Sequence, residues 1–99
     1  MSIIKAGVAT GNDVQLIFEK AKKNNFAIPA VNVIGSNSIN AVLETASFLN
    51  SPVIIQFSNG GAIFNAGKSL SNENQNAAIK GAIAGAKHIH ELSKEYKVP

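Results

Sequence analysis

Ser58 and Asn32 are the residues whose types and settings could do chemistry. Ser58 stands in Gln56-Phe57-Ser58-Asn59-Gly60-Gly61, a hydroxyl followed by an amide and two glycines. A serine hydroxyl together with neighbouring backbone amides can hold phosphate oxygens, and glycine lets backbone approach a ligand closely. Asn32 closes Ala27-Ile28-Pro29-Ala30-Val31-Asn32 in the same way, with a polar amide after an apolar run. No histidine lies near Ser58 in the sequence to activate it as a nucleophile, so the chemistry expected of it is binding. The competing reading of Ser58 is a capping serine that merely starts a loop.

Other candidates fare less well. His88 and His90 are the two histidines, and at about 100° per residue they point roughly 200° apart on a helix. They cannot converge on one metal. His88 and Glu91 can share a helix face, but a surface ion pair explains that spacing more simply. Ala62-Ile63-Phe64-Asn65-Ala66-Gly67-Lys68-Ser69 resembles a phosphate-binding P-loop with alanine for the first glycine. That mechanism requires a strand directly before the loop and a helix directly after it. Here the strand ends several residues early and an Asn-rich polar stretch follows Lys68, so an accidental match is preferred. Gly81-Ala82-Ile83-Ala84-Gly85 has small residues four apart, which in a helix with a charged tail and a short apolar span means close packing against a neighbouring element.

Elements must position Asn32 and Ser58. The run from Pro52 to Phe57 is β-branched and apolar and reads as a buried strand. A first strand spans about 27–32, with Pro29 near its start or facing no neighbour. Helical spacing of Val14, Ile17, Phe18 and Ala21 gives a helix that begins near Asn12 and breaks at Asn24-Asn25. A second helix carries Ile39, Val42, Leu43, Ala46 and Leu49 on its buried stripe, with Ser36 or Asn37 as cap and Glu44 on the far face. Asn59-Gly60-Gly61 reads as a loop, 62–68 as a short helical turn, and 69–76 as an exposed loop. A third long helix spans about 77–96. Strand and helix alternate twice, the signature of a parallel α/β fold, in which chemistry sits at the carboxyl ends of the strands. Asn32 and Ser58 are therefore expected on one shared rim.

Composition narrows the function classes. The chain has 99 residues, 45% of them hydrophobic and 15% charged, as globular chains do. Its net charge of +3 comes from nine lysines without an arginine. Lysine is poorly suited to planar, bidentate recognition of phosphate or guanine, and only Lys20, Lys22 and Lys23 cluster, so no nucleic-acid partner is expected. There is no cysteine, which removes disulfides and thiolate metal sites. Met1-Ser2-Ile3-Ile4-Lys5-Ala6 lacks the apolar core of a signal peptide, and no apolar run approaches the roughly 20 residues that span a bilayer. A cytoplasmic setting without membrane contact is expected.

Three strings taken together carry a family resemblance: FAIPAVNVIGSNSINAVLETA, PVIIQFSNGGA and GAIAGAKHIHELSKEYKVP. They closely resemble the amino-terminal part of class II, metal-dependent fructose-bisphosphate aldolases, in the bacterial and fungal subgroup whose second strand reads QFSNGG. The resemblance runs from about Gly7 to Pro99 and is weakest over 68–76. It implies a (β/α)8 barrel, of which residues 1–99 would be an incomplete piece: two β/α units plus the start of a third strand at Val98. It implies reversible cleavage of fructose 1,6-bisphosphate to dihydroxyacetone phosphate and glyceraldehyde 3-phosphate in glycolysis and gluconeogenesis. It also implies a homodimer, a divalent ion (typically zinc) and often a monovalent cation.

Carried over residue by residue, the resemblance makes Ser58 a contact to the glyceraldehyde 3-phosphate part of the substrate and Asn32 a residue lining the substrate site. The proton-transfer aspartate and the metal ligands of the family would follow residue 99, so these 99 residues alone are expected to be inactive and poorly soluble. The same chemistry on tagatose bisphosphate is the nearest rival, although QFSNGG leans towards fructose. A noncatalytic truncated remnant is the rival of another kind.

Overall fold

The computed structural model describes residues 4–99, so the first three residues of the Met1–Ala6 opening, read for a leader, lie outside it. Among the described residues four α-helices and two strands follow one another as α1 (Asn12–Lys23), β1 (Ala30–Asn32), α2 (Gly35–Leu49), β2 (Ile54–Gln56), α3 (Asn59–Ala66) and α4 (Asn76–Tyr96), with a short 3-10 turn at Glu73–Gln75. The two strands pair in parallel, with Ala30 opposite Ile54, Val31 opposite Ile55 and Asn32 opposite Gln56. This is the α/β arrangement expected from the alternating strand and helix patterns.

Both strands are shorter than their apolar runs, and the reason lies in the backbone. Pro29 has no N–H and sits just before β1, where its carbonyl accepts from the Ile54 N–H at 2.9 Å. The missing donor therefore leaves no gap in the ladder. At the other end the Val33 N–H donates to the Gln56 carbonyl at 3.0 Å, after which the chain turns into α2.

Alternation along the strands separates two faces. Val31 and Ile55 point towards the helices, where Val33, Ile39, Leu43, Ala46, Ile89 and Val98 form the buried core. Ala30, Asn32, Ile54 and Gln56 lie on the opposite, exposed face. The α2 stripe behaves as its spacing requires at Ile39, Leu43 and Ala46, which are buried. Leu49 departs from it: at 63% exposure it lies past the last packed turn, beside Phe48 at 88%. Asn50 closes α2 in the left-handed conformation, which asparagine tolerates well.

The cap of α2 also differs from expectation. Ser36 and Asn37 are already inside the helix, and neither caps it. No side chain caps α2; Ser38 instead holds the residue that precedes it, its Oγ accepting from the Ile34 N–H at 2.8 Å and donating to the Ile34 carbonyl at 2.6 Å.

The small residues of α4 explain how α3 can lie flat against it. A Cβ on Gly81 would fall 1.7 Å from the carbonyl oxygen of Ala62, and one on Gly85 would fall 2.3 Å from the Phe57 ring. Gly81 meets α3 and Gly85 meets Phe57, the residue just past β2, so close packing is what this spacing encodes. Past α4, Val98 is buried in the core and its carbonyl accepts from the Gly7 N–H at 2.8 Å; it forms no strand. Among the described residues no helix is long and apolar enough to cross a membrane.

Candidate functional site

Parallel pairing brings the carboxyl ends of β1 and β2 to the same rim. Asn32 is the last residue of β1, and Ser58 lies two residues beyond the end of β2. Both are exposed. The rim expected from the two apolar runs is therefore present, with both candidate side chains on it.

The segment after Ser58 is not a loop. Asn59-Gly60-Gly61 forms the first turn of α3, and Ser58 caps it. Its Oγ accepts from the Gly61 N–H at 3.0 Å, and its carbonyl accepts from the Ala62 N–H at 2.9 Å. Glycine is a weak helix former, which is why the sequence suggests a loop here. Space favours the glycine: a Cβ on Gly61 would sit a tight 3.2 Å from the Val33 carbonyl oxygen and 3.3 Å from Ser58 Oγ. The first turn of α3 thus packs onto the segment leaving β1, which ties the two halves of the rim together.

Capping does not exhaust the Ser58 hydroxyl. The oxygen accepts from Gly61, which leaves the O–H proton to donate. The N–H groups of Asn59 and Gly60 precede the first intrahelical donor and point out of the helix end. One hydroxyl and two amides beside each other, at the positive end of a helix dipole, suit an anionic oxygen. The capping and binding readings of Ser58 are compatible, because they use different parts of the same hydroxyl.

Asn32 is held by a residue that the sequence reading missed. Gln56 Nε2 donates to Asn32 Oδ1 at 2.7 Å. The two are register partners on neighbouring strands, so their side chains share a face. The usable signal was parity: Gln56 lies two residues before Ser58 and ends its strand as Asn32 ends the other. With Oδ1 occupied, Asn32 keeps its amide N–H groups for a ligand.

The remaining candidates fall outside this rim. His88 Nε2 lies 2.9 Å from Asn40 Oδ1, a partly buried link between α4 and α2. His88 does not pair with Glu91. Among the described residues no three His, Cys, Asp or Glu side chains gather as a metal would need. The P-loop-like string is mostly α3 itself, with Gly67 and Lys68 after the helix instead of before it. An apolar cavity of about 230 Å³ lies between α1, β2 and the end of α4, lined by Val14, Ile17, Val53, Ile55 and Val98 among others. It offers no charged group and neither Asn32 nor Ser58, so the open rim is the better candidate.

Comparison with known proteins decides the family. The family described as "Fructose-bisphosphate aldolase class-II" matches residues 12–99. The chain belongs to the class II fructose-bisphosphate aldolase family. It is 59% identical over 97 residues to "Fructose-bisphosphate aldolase class 2" of Escherichia coli (strain K12), a match covering 97% of this chain and 27% of that protein. It is 58% identical over 99 residues to the "Fructose-bisphosphate aldolase" of Campylobacter jejuni, covering 100% of this chain and 27% of the relative. The crystal structure of the Campylobacter jejuni fructose-bisphosphate aldolase superposes with a TM-score of 0.89 at 59% identity, over 98% of this chain and 27% of the other. The chain thus spans about a quarter of the length of the aldolases it matches, and the whole matched stretch includes Asn32 and Ser58.

Proposed function

We propose that this chain supplies the sugar-phosphate-binding rim of a class II aldolase that reversibly cleaves fructose 1,6-bisphosphate to dihydroxyacetone phosphate and glyceraldehyde 3-phosphate. The observation that carries this reading is the joint position of Asn32 and Ser58 on the carboxyl rim of two parallel strands, in a chain of this family. The Ser58 O–H donates to a phosphate oxygen on the glyceraldehyde 3-phosphate side, with the Asn59 and Gly60 amides beside it. Asn32, held by Gln56, lines the same mouth through its amide N–H groups.

In this reading residues 1–99 form the amino-terminal part of one (β/α)8 barrel domain, and further strands cover the β1 and β2 edges. The complete enzyme is a cytoplasmic homodimer of glycolysis and gluconeogenesis. Zinc, and in some members a monovalent cation, belongs to the family's chemistry. The described residues do not suit zinc: no three ligand side chains gather, and His88 is engaged with Asn40. In this reading the complete enzyme draws its zinc ligands from other parts of the barrel, and the residues described here bind and orient the sugar phosphate.

The test is a chimera in which this chain replaces the aligned segment of the Campylobacter jejuni aldolase. The expected result is zinc-dependent cleavage of fructose 1,6-bisphosphate within about tenfold of the parent kcat/KM. Preference for tagatose 1,6-bisphosphate would reassign the substrate. A folded, zinc-loaded chimera without activity on either sugar would overturn the proposal.

A further inference from the structure

Two consecutive left-handed residues lead into α4, and only one of them is a type that bears that conformation well. Asn74 (φ 56°, ψ 30°) and Gln75 (φ 62°, ψ 22°) are both left-handed. Asparagine and glycine bear that conformation best, so Asn74 is well chosen. Gln75 is not: glycine there would remove the steric conflict. Gln75 also stands at the N-cap position of α4 and makes no side-chain cap. Capping falls to Asn72, whose Oδ1 accepts from the Ala78 N–H at 3.0 Å. Neither backbone nor helix end accounts for a glutamine at this place.

Its side chain reaches elsewhere. Gln75 Oε1 accepts from Asn59 Nδ2 at 3.3 Å, across a sequence separation of 16. Asn59 opens α3 and follows Ser58 directly. A strained residue held against its own preference, with its side chain spent on a neighbour of the site, is the pattern expected of a functional constraint.

We propose that Gln75 is a positioning residue for the sugar-phosphate rim, holding the Asn59 amide beside Ser58 so that Asn59 Oδ1 accepts from a sugar hydroxyl next to the bound phosphate. This rests on the function proposed above. Gln75 itself touches no substrate; it acts through Asn59.

The experiment uses the Campylobacter jejuni chimera and fructose 1,6-bisphosphate, with Gln75→Gly, Asn59→Ala and the double variant. Gln75→Gly is expected to raise KM about three- to tenfold, the worth of one neutral hydrogen bond, with kcat within twofold. Its melting temperature is expected to hold or rise, because glycine accepts the left-handed backbone. Asn59→Ala is expected to raise KM similarly, and the double variant to match Asn59→Ala within about twofold, as residues acting in series do. An unchanged KM in Gln75→Gly overturns the proposal. So does a melting temperature that falls along with the rise in KM, which makes Gln75 structural, or a double variant that multiplies the two single effects. If Ser58→Ala impairs binding while Gln75→Gly keeps the parent KM, only Gln75 loses its role. If Ser58→Ala also leaves KM at the parent value, the proposed function falls and this inference with it.

Discussion

Removing the Ser58 hydroxyl separates its two uses. In the chimera, Ser58→Ala deletes the acceptor for the Gly61 N–H, a bond of 3.0 Å that caps α3. Loss of such a cap costs about 1 kcal/mol of stability and a melting-temperature drop of about 2–4 °C or less in a large domain. The same change deletes the O–H proposed to donate to phosphate. Hydrogen bonds to charged groups contribute about 1.5–3 kcal/mol, so kcat/KM is expected to fall about 10- to 150-fold. Ser58→Asp refines the test. Aspartate caps as well as serine, so the melting temperature is expected to stay within about 1 °C. Its negative charge faces the phosphate, so kcat/KM is expected to fall at least as far as in Ser58→Ala. The assay is steady-state cleavage of fructose 1,6-bisphosphate beside a thermal melt. A lower melting temperature in Ser58→Ala with kinetics at the parent value would mean that Ser58 only caps, and the binding argument would fail.

Further outcomes follow from the packing and the rim. Asn32→Ala leaves the Gln56 amide without its 2.7 Å acceptor, and KM for fructose 1,6-bisphosphate is expected to rise about tenfold; no change in KM would remove Asn32 from the site. Gly81→Ala is expected to destabilise the chimera by about 3 kcal/mol, because its Cβ meets the backbone of Ala62, and Gly85→Ala by less, because a Phe57 ring can shift; thermal melts giving the reverse order would contradict this packing. His88→Leu is expected to lower stability by about 1 kcal/mol while leaving bound zinc and kcat unchanged, and loss of zinc by elemental analysis would show His88 to be a ligand after all. The 99 residues by themselves, purified with zinc, are expected to aggregate and to cleave no substrate, since Phe48 and Phe64 among others are exposed and no metal cluster forms among the described residues.

Much of this was written in residue types whose physics is local. Asn24 and Asn50 both stand directly after a helix, Asn50 in the left-handed conformation, and Pro52 follows α2 three residues after its end. Gly81 and Gly85 announced a close approach, although not which element would come close. What stayed hidden depended on partners distant in sequence. Asn59-Gly60-Gly61 suggests a loop by propensity, and becomes helix where Ser58 caps the turn and Gly61 lies close to the Val33 carbonyl. Ser38, not Ser36 or Asn37, secures the start of α2, since left-handed Gly35 begins the helix earlier than the serine pattern suggests. Gln56 and Gln75 gave little sequence signal, because their value lies in Asn32 and Asn59, 24 and 16 residues away. Leu49 matched the periodicity of a buried face, but at the last turn of α2 the described residues cover it only in part.

The most direct test is a crystal structure of the zinc-free chimera soaked with fructose 1,6-bisphosphate. Ser58 Oγ is expected within about 3 Å of a phosphate oxygen, with the Asn32 amide on the same sugar phosphate. A substrate bound with both side chains facing solvent, well beyond hydrogen-bond distance, would contradict the shared-rim account.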